Sequence, residues 1–241
     1  MQSNYTTEQL LERWEDIHEV ENLMGRRSVY RLLVRDQKEF DEMWSNKDPC
    51  LGFNYGYYKG YDAIKGYVDA LSGYALMRAD LAKKEYPEAL GKKETQEIVG
   101  VGALHVEGIT TPLIELASDR KTAKGLFYAM GAEFDYGPSG WEANMSWGRL
   151  GVDFIKEDGK WKIMHLVFAE DINTPLGATW AGKKERSSGH SVFGKPGEYK
   201  FPEPNVPLSV HERWHETRPL NKFPPMPAPY DTFADTFSYG V

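Results

Sequence analysis

The sharpest chemical pattern in the sequence is His211-Glu212-Arg213-Trp214-His215, an H-E-x-x-H string. On a helix its two histidines share a face and can bind zinc, with the glutamate as general base. The surroundings argue against that use. Pro207 and Pro219 bracket the segment and leave room for only a short helix, and Asp231 or Asp235 is all that offers a third ligand. A surface or interface turn is expected there, and no metal is expected. Two other histidines lie in runs with strand character: His105 opens His105–Ala117, and His165 lies within Lys160–Ala169. Histidine exchanges protons near neutral pH, which acid–base catalysis requires. Strand alternation puts Trp161, Ile163, His165 and Val167 on one face, and Met164, Leu166 and Phe168 on the other. In the preceding strand the same rule groups Met145, Trp147, Arg149, Gly151 and Asp153. His165 and Asp153 are therefore candidates for a site with apolar walls. The lone cysteine, Cys50 beside Pro49, reads as a small packed residue rather than a nucleophile. The sequence has no G-x-G-x-x-G, phosphate-binding loop or nucleophile elbow, so nucleotide-dependent chemistry and a cofactor are not expected.

These residues need elements to hold them. Lys121–Asp171 carries three long runs of β-branched, aromatic and small residues. Asp158-Gly159 separates Asn144–Lys156 from Lys160–Ala169, a strong hairpin signal because a tight turn needs positive φ. Upstream the chain reads as helical. Thr6 and Gln9 can form a capping box, followed by an apolar stripe of Leu10, Trp14, Ile17 and Met24 widened by Leu11, Val20 and Leu23. Gly25 interrupts this pattern. Asp36 is read as the cap of a short helix, Leu51–Tyr58 as one aromatic strand, and Asp62 as the cap of a helix reaching about Glu85. His18 is read as a surface residue. The tail after Ile172 differs in composition, with ten of the 14 prolines. Its Gly182–Gly197 part is polar and reads as loop. The aromatic residues Phe201, Trp214, Phe223, Tyr230, Phe233, Phe237 and Tyr239 are too many for a disordered segment, so the tail is expected to wrap the domain or a neighbouring subunit.

Composition sets further bounds. The 241 residues suit one domain with extensions or at most two, and 41% hydrophobic residues suffice for a core. A formal charge of -7 argues against nucleic acid as partner. The longest apolar runs fall short of a membrane span, no signal pattern opens the chain, and a single cysteine fits a reducing cytoplasm.

The order of elements resembles the SnoaL-like branch of the nuclear-transport-factor-two-like superfamily over about Glu8–Asp171. Tyr57-Tyr58-Lys59-Gly60-Tyr61-Asp62-Ala63-Ile64, Thr111-Pro112-Leu113-Ile114-Glu115 with Thr122-Ala123-Lys124-Gly125, and Asp158–Leu166 carry the resemblance. It implies an α+β cone: a curved antiparallel sheet wrapped around N-terminal helices in residues 1–172, with an apolar pocket inside, and a Pro-rich tail over 173–241. Scytalone dehydratase and bile-acid dehydratase belong to this group, and their Tyr, His and Asp or Glu side chains work inside the cone. Eliminating water beside a carbonyl needs a base for the α-proton, a donor on the carbonyl and an acid for the leaving hydroxyl. By position, the resemblance points to Tyr30 and His105. The family aspartate that follows the T-A-x-G strand is missing here; Ala129–Glu133 stands in its place, and Glu133 or Asp153 are the possible substitutes. Tyr58, Phe127, Tyr128 and Trp147 are expected to line the pocket. The expected activity is a cofactor-free dehydratase, isomerase or cyclase acting on a small apolar, aromatic, polyketide-like or steroid-like molecule. The alternative is a non-catalytic ligand-binding or interaction module. A homo-oligomer, dimer or trimer, is expected in either case.

Overall fold

The Thr6 hydroxyl accepts from the Gln9 N–H at 3.2 Å, and the Gln9 side chain accepts from the Thr6 N–H at 2.9 Å. This capping box starts α1 (Thr7–Leu32). The helix runs straight through Gly25, where an interruption was expected. Burial of Val20, Leu23, Met24 and Arg27 along one side outweighs the roughly 1 kcal/mol that glycine costs a helix. Leu10 and Trp14 are exposed; burial on α1 begins instead with Asp16, whose carboxylate bonds Lys156 and Arg120, two residues far along the chain. The Trp161 indole N–H also donates to Asp16. The computed structural model describes residues 5–137, 140–177, 199–207 and 211–241; the Gly182–Gly197 stretch lies outside them.

The chain continues through α2 (Asp36–Met43), β1 (Cys50–Phe53), β2 (Gly56–Lys59), α3 (Tyr61–Glu85), α4 (Pro87–Leu90), β3 (Leu104–Leu116), β4 (Thr122–Gly137), β5 (Gly140–Glu157) and β6 (Lys160–Pro175). The aromatic run at 51–58, read as one strand, is a hairpin turning at Asn54-Tyr55. Arg35 rather than Asp36 precedes α2, and Asp36 pairs with Arg31 at 3.1 Å. Gly60 precedes α3, so Asp62 sits inside the first turn instead of capping it.

The sheet order is β2-β1-β6-β5-β4-β3, curved and unclosed. Neighbours are antiparallel apart from the parallel pair β1 and β6. Asp158 and Gly159 both take positive φ, 48° and 74°, as the tight turn between β5 and β6 demands. The concave face holds the core: Ala123 and Phe127 of β4, Leu150, Val152 and Phe154 of β5, and Trp161, Ile163 and Leu166 of β6 pack against α1, α2 and α3.

A bulge on β6 overturns the expected alternation. Asp153 pairs with His165 while Phe154 pairs with Ile163, so Met164 is an extra residue. One inserted residue exchanges the faces of everything beyond it. Trp161 and Ile163 therefore point into the core together with Leu166, while His165 and Val167 point to the convex face.

The described parts of the tail pack on this domain. Phe201 enters the main core, Val206 bridges Tyr57, the Trp214 N–H bonds the Asp171 carbonyl, and Tyr239 is buried with Cys50, Tyr57 and Val167. No helix among the described residues is long and apolar enough to cross a membrane.

Candidate active site in the cone

β3 and β4 place His105 and Glu133 directly opposite each other, and both line a cavity of about 110 Å³ inside the cone. Glu133 follows Ala129 and Gly131 at two-residue spacing, and all three line that cavity. The small residues leave the space and the glutamate supplies the ionisable group. Phe53, Tyr55 and Tyr67 form an aromatic wall from the β1–β2 hairpin and α3, with Phe53 and Tyr55 stacked at 5.3 Å.

His105 Nε2 lies 3.1 Å from Arg78 Nη1 of α3. A guanidinium can only donate, so Nε2 accepts and the ring proton sits on Nδ1. Burial, then the charges of Arg78 and Arg31, push the His105 pKa down to about 3. The ring is therefore neutral at physiological pH, a hydrogen-bond donor rather than a proton acceptor. Burial moves Glu133 the other way, above the ordinary carboxylate value, against the pull of Arg31 and with repulsion from Glu170 adding to the rise. No hydrogen bond among the described residues holds the Glu133 carboxyl. Two ionisable groups pushed apart in this way are suited to opposite roles in proton transfer.

Ion pairs fix the frame. Arg27 of α1 reaches Glu107 of β3 at 2.7 Å and Glu39 of α2 at 3.2 Å, while Arg31 reaches Asp36. The tail contributes Arg213, which pairs with Glu170 of β6; Asn173 donates to the same carboxylate at 2.8 Å. Burial raises the Glu170 pKa, and Arg213 and Asn173 counter it. Burial likewise raises the Tyr67 and Tyr55 hydroxyls, keeping both protonated as donors.

Of the four expected catalytic side chains, His105 alone faces this cavity. The Tyr30 hydroxyl turns away and donates to Glu42 at 2.5 Å, because position 30 of α1 faces α2. His165 and Asp153 lie on the convex face, bonded to each other at 2.8 Å and covered by the tail. Among the expected pocket residues, Phe127 is in the core. Tyr58 is buried next to Tyr67, its hydroxyl donating to the Pro202 carbonyl. Tyr128 and Trp147 are exposed on the convex face, 52% and 41%. His211 and His215 lie on irregular backbone, His211 bonding the Glu170 carbonyl and His215 bonding Thr217. They do not present the shared helical face that zinc binding requires. His18 is exposed and stacked on Trp14. Glu170, Arg31, Arg213 and Tyr55 were missed, and only strand alternation from Ala129 could have promoted Glu133.

Among solved structures, the Kfla4162 protein from Kribbella flavida resembles this chain with a TM-score of 0.50 at 10% identity, over 67% of this chain and 95% of the other. What they share is a mixed α+β fold, a curved, unclosed sheet packed on N-terminal helices. An NTF2-like protein with a cystatin-like fold from Novosphingobium aromaticivorans aligns over 74% of this chain and 95% of its own, at 14% identity and a TM-score of 0.41. A protein from the same organism described as a putative scytalone dehydratase aligns over 72% of this chain and 97% of its own, at 14% identity and a TM-score of 0.49. At such identities the likeness is one of fold. No protein-family model and no curated protein matches the sequence.

Proposed function

We propose that the protein is a cofactor-free acid–base lyase or isomerase, dehydratase- or cyclase-like, acting on a small apolar or aromatic molecule inside the cone. The observation that carries this reading is the His105–Glu133 pair, set opposite each other across β3 and β4 in one cavity. Glu133, ionised, takes the proton beside a carbonyl. His105 Nδ1–H donates to the oxygen on which negative charge develops. Glu133, now protonated, or a tyrosine hydroxyl returns a proton to the leaving group. At about 110 Å³ the cavity is smaller than the roughly 150 Å³ that holds benzene, so it excludes a whole steroid and takes at most part of a one-ring substrate.

A second reading, a non-catalytic ligand-binding module, has one observation in its favour: Arg27, Arg31 and Arg213 are each already paired with carboxylates. A panel of aromatic β-hydroxyketones, monitored by the ultraviolet absorbance of the conjugated product, separates the two. Turnover by the wild type that disappears in Glu133→Gln while binding persists supports the enzyme. Full turnover in His105→Ala sinks the assigned chemistry.

The same reading includes assembly into a dimer or trimer, supported by the exposed Tyr128, Met130 and Trp147 on the convex face.

A further inference from the structure

We propose that Lys124 and Asp153 form an intramolecular amide bond between Nζ and Cγ, crosslinking β4 to β5. The two residues are direct partners in the β4–β5 register. Both side chains are wholly buried, with Nζ 2.5 Å from Asp153 Oδ1. At a hydrogen-bonded distance the amine nitrogen stands about 3–3.5 Å from the carboxyl carbon, the separation of a near-attack pair.

The other carboxyl oxygen is dressed differently. The Tyr239 N–H reaches Oδ2 at 2.7 Å and His165 Nδ1 reaches it at 2.8 Å, with Ser238 Oγ at 3.3 Å. His165 Nε2 is held by the Asp48 carbonyl at 3.0 Å. The carboxylate can only accept, so Nδ1 carries the proton that is donated to Oδ2. The rings of Phe233, Phe237 and Tyr239 surround Nζ at 4.9, 4.3 and 5.0 Å. One oxygen thus faces the amine and the other faces a set of donors, inside an aromatic shell supplied by the C-terminal segment.

An ammonium–carboxylate pair is poorly accommodated in such a place, because both ions have lost their water. Passing one proton from Nζ to Oδ1 leaves an amine and a carboxylic acid, both uncharged, which apolar surroundings favour. Burial lowers the Lys124 pKa, with Asp153 opposing, consistent with that transfer. The lone pair on Nζ then attacks Cγ, and the C–O π electrons move onto Oδ2. There Tyr239 N–H and His165 Nδ1–H stabilise the oxyanion. As the carbonyl re-forms, the Cγ–Oδ1 bond breaks, and Oδ1 leaves as water with its own proton and one more from Nζ. The sum is ammonium plus carboxylate giving amide plus water; nothing is oxidised or reduced and no further reactant is needed. The amide oxygen keeps the donors that faced Oδ2, and two buried charges are gone. This chemistry lies on the convex face and is independent of the cavity and of the function proposed for it.

The test is the intact mass of the purified full-length chain under denaturing conditions, followed by tryptic peptide mapping. The expected result is a chain lighter by one water, a single branched peptide carrying both Lys124 and Asp153, and no tryptic cleavage after Lys124. Lys124→Arg restores the full mass. Folded wild-type protein that keeps its full mass after prolonged incubation overturns the proposal. So does loss of one water with residues 124 and 153 on separate peptides, the signature of a succinimide. Both readings come from the wild type, so the result stands even where Lys124→Arg fails to fold.

Discussion

His105 and Glu133 share an environment that acts on them in opposite senses. Burial disfavours charge on both, so the histidine loses its proton more readily and the glutamate keeps its own longer. If Glu133 is the base, kcat/KM rises with pH through a single limb above the ordinary glutamate value and shows no limb near 6.5, the usual histidine value. A pH–rate profile checks this, and a limb near 6.5 that disappears in His105→Ala contradicts the donor role. Glu133→Gln is expected to lower kcat by about 10²–10⁴-fold, and His105→Ala by about 10²–10³-fold, both measured at saturating substrate. The same histidine affects stability. Its folded pKa lies below the unfolded value of 6.5, so the unfolded chain binds the proton first as pH falls. Its contribution is complete above 6.5 and is lost as pH falls towards 3. His105→Phe is therefore expected to flatten the loss of stability in that window, as read by urea denaturation at stepped pH.

Elements are tied together by a few buried polar groups. Asp16 joins α1 to Lys156 of β5, Trp161 of β6 and Arg120 before β4. Burial alone would raise its pKa, yet the hydrogen bonds from Lys156, Arg120 and Trp161 hold it below the usual carboxylate range. Asp16→Ala removes the acceptor of Lys156 and Trp161, while Arg120 keeps Glu12, and is expected to cost about 1–3 kcal/mol, the penalty of leaving part-buried donors unpaired. The C-terminal strap is a second such tie. Tyr239 is 1% exposed, its ring packed with Cys50, Tyr57 and Val167 and its hydroxyl bonding the Pro225 carbonyl. Tyr239→Ala is expected to cost about 3–5 kcal/mol, comparable to other large aromatic truncations in a core. Denaturant midpoints at an unchanged slope would check both values. The bulge at Met164 belongs to this scale too, because it decides which side of the sheet each later residue of β6 serves.

At the scale of the molecule, the concave face is packed against helices and the described parts of the tail cover only part of the convex face. Tyr128, Met130 and Trp147 remain exposed there. If this face mediates assembly, sedimentation velocity gives a dimer or trimer, and Trp147→Glu gives a monomer with the same far-ultraviolet circular dichroism. A wild-type monomer at high concentration removes that part of the proposal. Much of the fold was legible in the sequence. Thr6 and Gln9 announce α1, Asp158-Gly159 announces the β5–β6 turn, and the long β-branched and aromatic runs announce the strands. These signals are local: each rests on the φ or side-chain reach of a few neighbouring residues, and no distant partner is needed to read it. The site was less legible. The pairing of His105 with Glu133 depends on the β3–β4 register, the neutral state of His105 depends on its burial and then on Arg78 reaching it from α3, and the removal of His165 from the cavity depends on one bulged residue. Tyr30 turned to α2 and the tail supplied Arg213, neither of which spacing could show. The sequence by itself determined where elements begin and turn, because caps and turns are contests between adjacent groups. Only the tertiary structure decided which ionisable side chains meet and lose their water, because desolvation and charge are set by residues far apart in the chain.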